Sequence, residues 1–466
     1  MHLSPDEPNQ FSLSRFESML QTNDVYFFDS EEFEGIIHHY LEHGKIALAK
    51  KATKLGLAQH PTSMNLKLFE VEMMIFENKL DQAEVLLDQL YILEQSNEEI
   101  FIQKANILSR RNQHRQAIIL LEQALSISED QLDVLSLIGM EYLFLEDYEN
   151  AKTYFMRCVD EDTEDYSALY NVVYCFEFLE QHTKAIVYLN EFLDHNPYCE
   201  VAWHQIGKQY YQLKDYQKAL AAFDFAIISD DRFIGAYLEK GKVLERLKDY
   251  GQAIESYMVT LTLDDPTSFA LLRIGKCYEK LGQSDLALQF FNKCVEEDAL
   301  LDKAWIAITD FYVKKKDFDK ALYFIEKAVN IDGDNALYWK RHARISLKLN
   351  RYEEAEHAFR RTIELGNYEL TTWLSRCDLL IKLGEHRAAI NNLLQACEFH
   401  PDQAEIEFRL GGLYYLLNDQ HKGQFHMING LHLNHEFVMV IEILFPKVHA
   451  LLSVQELIQN HQKPSV

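Results

Sequence analysis

Proline is scarce in this chain, eight in 466 residues, and glycine numbers only 17. No glycine-rich phosphate loop, nucleophile elbow or pair of catalytic carboxylates emerges, so the sequence offers no catalytic residues and no cofactor or metal site. No apolar run reaches the roughly 20 residues that span a membrane. The chain opens Met1, His2, Leu3, Ser4, Pro5, Asp6. A basic start followed by an apolar run is missing, so no signal peptide is expected. Seven cysteines are an odd number without framework spacing, which points to small buried side chains in a reducing compartment, the cytoplasm. Basic residues are also in deficit, 46 against 73 acidic ones, for a net charge of −27. Such a chain repels phosphate backbones, which argues against nucleic acid as a partner. The deficit is uneven. Residues 1–200 carry 36 acidic and 14 basic side chains, and residues 201–466 carry 37 and 32. The acidic half either keeps a long molecule soluble or attracts a basic partner.

What the chain does have is a column of alanines every 34 residues: Ala49, Ala83, Ala117, Ala151, Ala185, Ala219, Ala253, Ala287, Ala321, Ala355 and Ala389, then Gly423. No insertion interrupts it. A side chain kept this small, this regularly, marks a close helix–helix crossing built twelve times. With the alanine at the twentieth place, copies begin at Ser30, Met64, Glu98, Leu132, Tyr166, Glu200, Ile234, Ser268, Asp302, Ala336, Leu370 and Ala404. In the copy from Glu200, Trp203, Ile206, Gly207 and Tyr210 share one helix face, and Ala219, Phe223 and Ala226 share the face of a second helix. Asp215 lies in the turn between them. Trp203, Trp305, Trp339 and Trp373 fill one slot and read as core wedges. Pro61, Pro197, Pro266 and Pro401 all fall at unit borders, where a helix must end. Small residues at the eighth place (Gly139, Gly207, Gly241, Gly275, Gly411, Ala105, Ala343) allow close approach. Ile37, Val71, Val173 and Thr309 depart from that rule and suggest looser or re-angled packing in their units.

This pattern resembles the tetratricopeptide repeat family over residues 30–437. The resemblance implies an all-α solenoid, a right-handed superhelix of twelve helix-turn-helix units. The physical reason for stacking is general: no single unit can bury its own apolar faces. Residues 1–29 read as a loose tail and a capping helix, with Ser14 and Glu17 as a capping box. Residues 438–466 read as a degenerate thirteenth unit or cap, with a second capping box at Ser453 and Glu456. Its apolar stretch from Phe437 to Phe445 leaves self-assembly through this end as an alternative, which would make the chain a structural solenoid and a homo-oligomer.

In the family, places 2, 5, 9, 12 and 13 of the first helix line a concave groove that binds peptides. Here the candidate groove residues are Leu68, Ile75 and Phe76, then Met140, Leu143 and Phe144, then Tyr170, Tyr174 and Phe178. Exposed aromatics there would anchor a partner; the competing reading is packing against the next unit. Lys208, Lys242, Lys276 and Arg344 form a basic ladder at the ninth place, suited to a carboxylate-rich segment. Glu245 and Glu279, three residues after two of the lysines, offer intrahelical pairing instead. The family's clamp for C-terminal carboxylates is echoed only by Lys340 and Arg344, and its asparagine ladder only by Asn171. His39 and His43 have metal-compatible spacing, but Tyr40 stands where a zinc protease needs Glu. The sequence therefore points to a non-enzymatic scaffold for a protein or peptide partner.

Overall fold

The computed structural model describes residues 7–22, 26–263 and 267–462. Among these, all regular structure is helical. The chain divides into two compact bodies, Met1–Asp231 and Arg232–Val466. Six helix pairs lie in each. The first helices start at Ser30, Met64, Glu98, Leu132, Tyr166 and Glu200 in the first body. In the second they start at Ile234, Ser268, Asp302, Ala336, Leu370 and Ala404. The second helix of each pair starts at the seventeenth place, from Ile46 to Gln420. Within each body successive helices pack in chain order, so neighbouring units cover each other's apolar faces.

The pair interface explains the small residues. The alanine column is wholly buried from Ala49 to Ala389. At the twelfth unit Gly423 replaces it because a Cβ there would lie 2.6 Å from the Tyr415 ring. The eighth place faces the twenty-fourth. A Cβ on Gly207 would stand 2.5 Å from the Phe223 ring, on Gly241 2.5 Å from Tyr257, and on Gly275 2.4 Å from Phe291. The four departures are as buried as the glycines, but in the first, second and fifth units the paired helices approach each other less closely than in the glycine units, as the sequence suggests, whereas the ninth, with Thr309, stays close. None of these units has a glycine or alanine at the eighth place. The twenty-fourth place shrinks in them, to Thr53, Leu87, Leu189 and Ile325. Volume is conserved across the pair, which close-packed interiors demand.

Each turn between paired helices has one residue in the left-handed region, always at the fifteenth place. Glycine fills it at Gly44, Gly282 and Gly384, and asparagine at Asn78, Asn112, Asn350 and Asn418. Glu146, Glu180, Lys214, Lys248 and Lys316 occupy it despite their Cβ atoms. At Lys214 the ends of the motif close with Lys214 N donating to Tyr211 O at 3.0 Å and Asp215 N to Tyr210 O at 2.9 Å. These bonds satisfy the last carbonyls of the first helix. Asp215 then caps the second helix by accepting from Lys218 N at 3.4 Å, as Asp147, Asp249, Asp317 and Asp419 do in their units.

The tryptophans are less uniform than their shared slot suggests. Only Trp373 is fully buried. Trp203, Trp305 and Trp339 are half-buried and donate their indole N–H to Pro197, Ala299 and Gly333 carbonyls at 2.9, 2.9 and 2.8 Å. They latch the loop that joins one unit to the next. Pro61, Pro197 and Pro401 lie in such loops; Pro266 is outside the described residues.

Both ends differ from expectation. The N-terminal helix spans Glu7–Thr22, so it starts well before Ser14. Ser14 is inside it and donates to Phe11 O at 2.8 Å rather than capping. The rest of the expected loose tail, residues 1–6, lies outside the described residues. Phe16 and Met19 of this helix enter the core around Phe28, Phe33 and Tyr40. At the other end short helices cover Met439–Leu444 and Pro446–His449, and a final helix covers Leu452–Gln462. Ser453 again falls inside its helix. Phe445 lies where a Cβ on Gly412 would be, 2.3 Å from its ring, and Ile441, Val448, Val454 and Ile458 join the last unit's core. Ile443 and Leu452 remain 68% and 78% exposed.

Candidate functional site

In the first body, the first helices Leu132–Phe144, Tyr166–Phe178 and Glu200–Gln212 border a cavity of about 480 Å³. Met140, Leu143, Phe144, Tyr170 and Tyr174 line it. Phe178 adjoins them. It lies 4.6 Å from the Tyr174 ring and stacks on Tyr148 at 4.7 Å. Tyr170, Tyr174 and Phe178 keep 41%, 43% and 54% of their surface exposed. They therefore do not vanish into the next unit, although Phe178 shares a face with Tyr148. Phe144 stacks on His114, whose Nδ1 lies 2.8 Å from Glu141.

Three residues of this cavity were not singled out from the sequence: Tyr148, Glu177 and Gln205. Tyr148 comes from the second helix of its unit, outside the stripe. Gln205 is 1% exposed, and its Oε1 accepts no hydrogen bond. It lies close to the Tyr170 hydroxyl, whose pKa burial raises. Glu177 Oε1 accepts from Gln209 Nε2 at 2.8 Å and lies 3.7 Å from Lys208 Nζ.

Nearer the N-terminus of the same body is a larger cavity of about 750 Å³. Glu34, Glu72, Glu98, Glu99 and Glu129 line it with His38. Burial, and then the neighbouring Glu99 carboxylate, push the Glu72 pKa above its ordinary value. The sequence showed only an acidic half; Glu34 at the fifth place and Glu72 at the ninth were the local signal. Of the candidates in this region, Phe76 is exposed. Ile75 is 4% exposed and belongs to the core, which corrects its place in the groove. Leu68 is also buried, though it still lines the acidic cavity. The reason is that Met64–Phe76 packs against the first helices on both sides, so part of its stripe is covered.

The basic ladder is not one uniform device. In the second body Lys242 donates to Glu239 at 2.6 Å and lies over the Phe269 ring at 5.2 Å. Glu245 is held by Arg273 and by the Tyr257 hydroxyl, each at 2.7 Å, and Glu279 by Lys314. Neither glutamate pairs with the lysine three residues before it. Lys276 is half-buried, without an ion-pair partner among the described residues. Burial, then Arg273 and Lys303, lower its pKa. Arg344 is exposed. Lys340 is buried against Glu369 at 2.5 Å, so it is not available as a clamp. His43 Nδ1 turns to the His39 carbonyl at 2.8 Å. Among the described residues no group of three or more His, Cys, Asp or Glu is placed to hold a metal, and no helix is long and apolar enough to cross a membrane.

Sequence profiles described as tetratricopeptide repeat match residues 101–135, 132–165, 204–266, 269–300 and 302–335. The chain is a tetratricopeptide repeat protein. It is 28% identical over 128 residues to anaphase-promoting complex subunit 3 of Schizosaccharomyces pombe. The match covers 28% of this tetratricopeptide repeat protein and 19% of that relative. Among solved structures it is similar to the APC/C hetero-tetramer Cut9–Hcn1, with a TM-score of 0.34 and 12% identity over 99% of this chain and 97% of that one. It is also similar to the C-terminal part of a repeat protein from Cytophaga hutchinsonii, with a TM-score of 0.43 and 15% identity over 56% and 100% of the two chains.

Proposed function

We propose that this protein is a non-enzymatic interaction scaffold that holds a segment of a partner protein in its groove. The observation that carries the reading is the open aromatic wall. Tyr170, Tyr174 and Phe178 each leave about half their surface uncovered beside a cavity of about 480 Å³. Large rigid aromatics on a concave wall are anchors that cost little side-chain entropy on binding. The likeness to a subunit of a multiprotein complex supports a partner that is itself a protein. The reducing compartment suggested by seven unpaired cysteines, six of them buried, fits a cytoplasmic setting.

The test is capture of tagged full-length protein from native cells, wild type beside Y170A/Y174A/F178A. We expect one or more proteins to be lost from the variant while its helical circular dichroism is unchanged. Identical captured sets would remove the groove from consideration. Self-assembly through the C-terminal end is favoured by one observation only, the exposure of Met439, Ile443, Leu451 and Leu452 on the cap.

A further inference from the structure

Three features of the first body's groove select the same chemistry. Tyr148 and Tyr174 line the aromatic cavity and Phe178 stacks on Tyr148 beside it, a cluster of rings whose π-electrons attract a cation. The cavity contains a buried acceptor, Gln205 Oε1, with nothing donating to it. It also contains Glu177, whose Oε2 accepts no hydrogen bond from the described residues. A purely apolar anchor would leave Gln205 Oε1 unpaired, at the cost that any buried unsatisfied acceptor carries. A carboxylate would meet Glu177 and the negative ring faces. A guanidinium or ammonium satisfies all three.

We propose that this cavity receives an arginine or lysine side chain of an extended basic segment from a partner protein. The inference rests on the groove reading above and names the class of segment. The larger cavity in the same body extends the match. None of its five glutamates has an ion-pair partner among the described residues, and Glu72 is crowded by Glu99. Further cations of the same segment relieve that crowding. The net charge of −22 over residues 1–200 steers such a segment toward this half of the protein. Lys208, 3.7 Å from Glu177, is the resident cation at the rim and is displaced outward when the segment enters.

The test uses full-length protein and four fluorescein-labelled nonapeptides, alternating Ser with Arg, citrulline, Leu or Glu, read by fluorescence anisotropy at ~0.15 M salt, near the physiological level. Citrulline keeps the shape of arginine and removes its charge. We expect the arginine peptide to bind at least about tenfold tighter than each of the other three. Replacing the rings by Leu in Y174L/F178L keeps the apolar volume and removes the π faces. It should weaken the arginine peptide by about three- to tenfold, in line with partly desolvated cation–π contacts. E177Q should weaken it by a similar factor. All three residues are substantially exposed or at the rim, so both variants should keep wild-type helicity.

A leucine or glutamate peptide that binds as tightly as the arginine peptide overturns the proposal. So does arginine-peptide binding that neither variant changes, since that is attraction to the acidic surface at large. If the leucine peptide is preferred and its binding is lost in Y170A/Y174A/F178A, the groove reading stands and the cationic assignment falls. If no peptide binds, the cationic assignment falls as well, and the native capture comparison alone decides the groove.

Discussion

Replacing Gly207 by Ala should disturb the sixth unit although alanine is the better helix former. The added Cβ would stand 2.5 Å from Phe223 Cε1, where ordinary contact begins at 3.4 Å, so the ring must retreat by nearly an ångström. Phe223 is wholly buried, so its ring can retreat only by displacing its neighbours in the core. Overpacking of this kind costs about 1–3 kcal/mol. Alanine returns about 1 kcal/mol of helix propensity, leaving a net loss of up to about 2 kcal/mol, or up to about 30-fold in a local opening equilibrium. Phe223→Leu alone should cost about 1–2 kcal/mol through lost contact and a residual cavity. Together the two changes recreate a pair the protein already uses, Ala105 opposite Leu121. The double variant should therefore be more stable than the sum of the singles by about 1–2 kcal/mol, the coupling typical of residues in contact.

Stacked repeats need not unfold in one step, so the readout should be local. Hydrogen exchange of peptides covering 200–229 in the four proteins gives the cycle directly. Additivity within about 0.5 kcal/mol would refute the argument that the eighth and twenty-fourth places trade volume.

Glu180 adopts φ 54° with its side chain in solvent, so Glu180→Gly should stabilise its turn by about 0.5–1 kcal/mol, seen as slower exchange at residues 176–185; faster exchange would count against turn strain. Glu72 has a folded-state pKa above its ordinary 4.5, so the fold binds the extra proton and loses stability as pH rises through that window. E72Q should melt above wild type at pH 7, with the gap closing as pH falls below 4.5; a gap that persists at low pH would mean a packing effect. If the C-terminal end joins copies, I443D/L452D should lower the sedimentation coefficient of the full chain without altering helicity. This surface pair is the appropriate variant, because deleting residues after 437 would strip Phe445 from Gly412 and uncover the last core.

The 34-residue column determined the helix starts, the buried faces and the small–large crossings by itself. In a stacked repeat every place meets the same neighbouring places, so a sequence period is also a contact map. Even the left-handed turn was legible in principle, in the glycines and asparagines at the fifteenth place, but Glu180 and Lys214 hid it because tertiary packing imposes the conformation on them too. The tertiary structure decided the rest. Ile75 and Phe76 are adjacent in the stripe, yet one is core and the other exposed, since burial depends on how closely flanking helices approach. Glu245 stands beside Lys242 on one helix but pairs with Arg273 of the next, because long side chains choose partners by geometry across units rather than by spacing within one. Gln205 and Glu177 read as ordinary polar residues in the sequence. Only the folded arrangement sets them beside Tyr148 and Tyr174, leaves one acceptor unpaired, and makes that part of the groove a place for a cation.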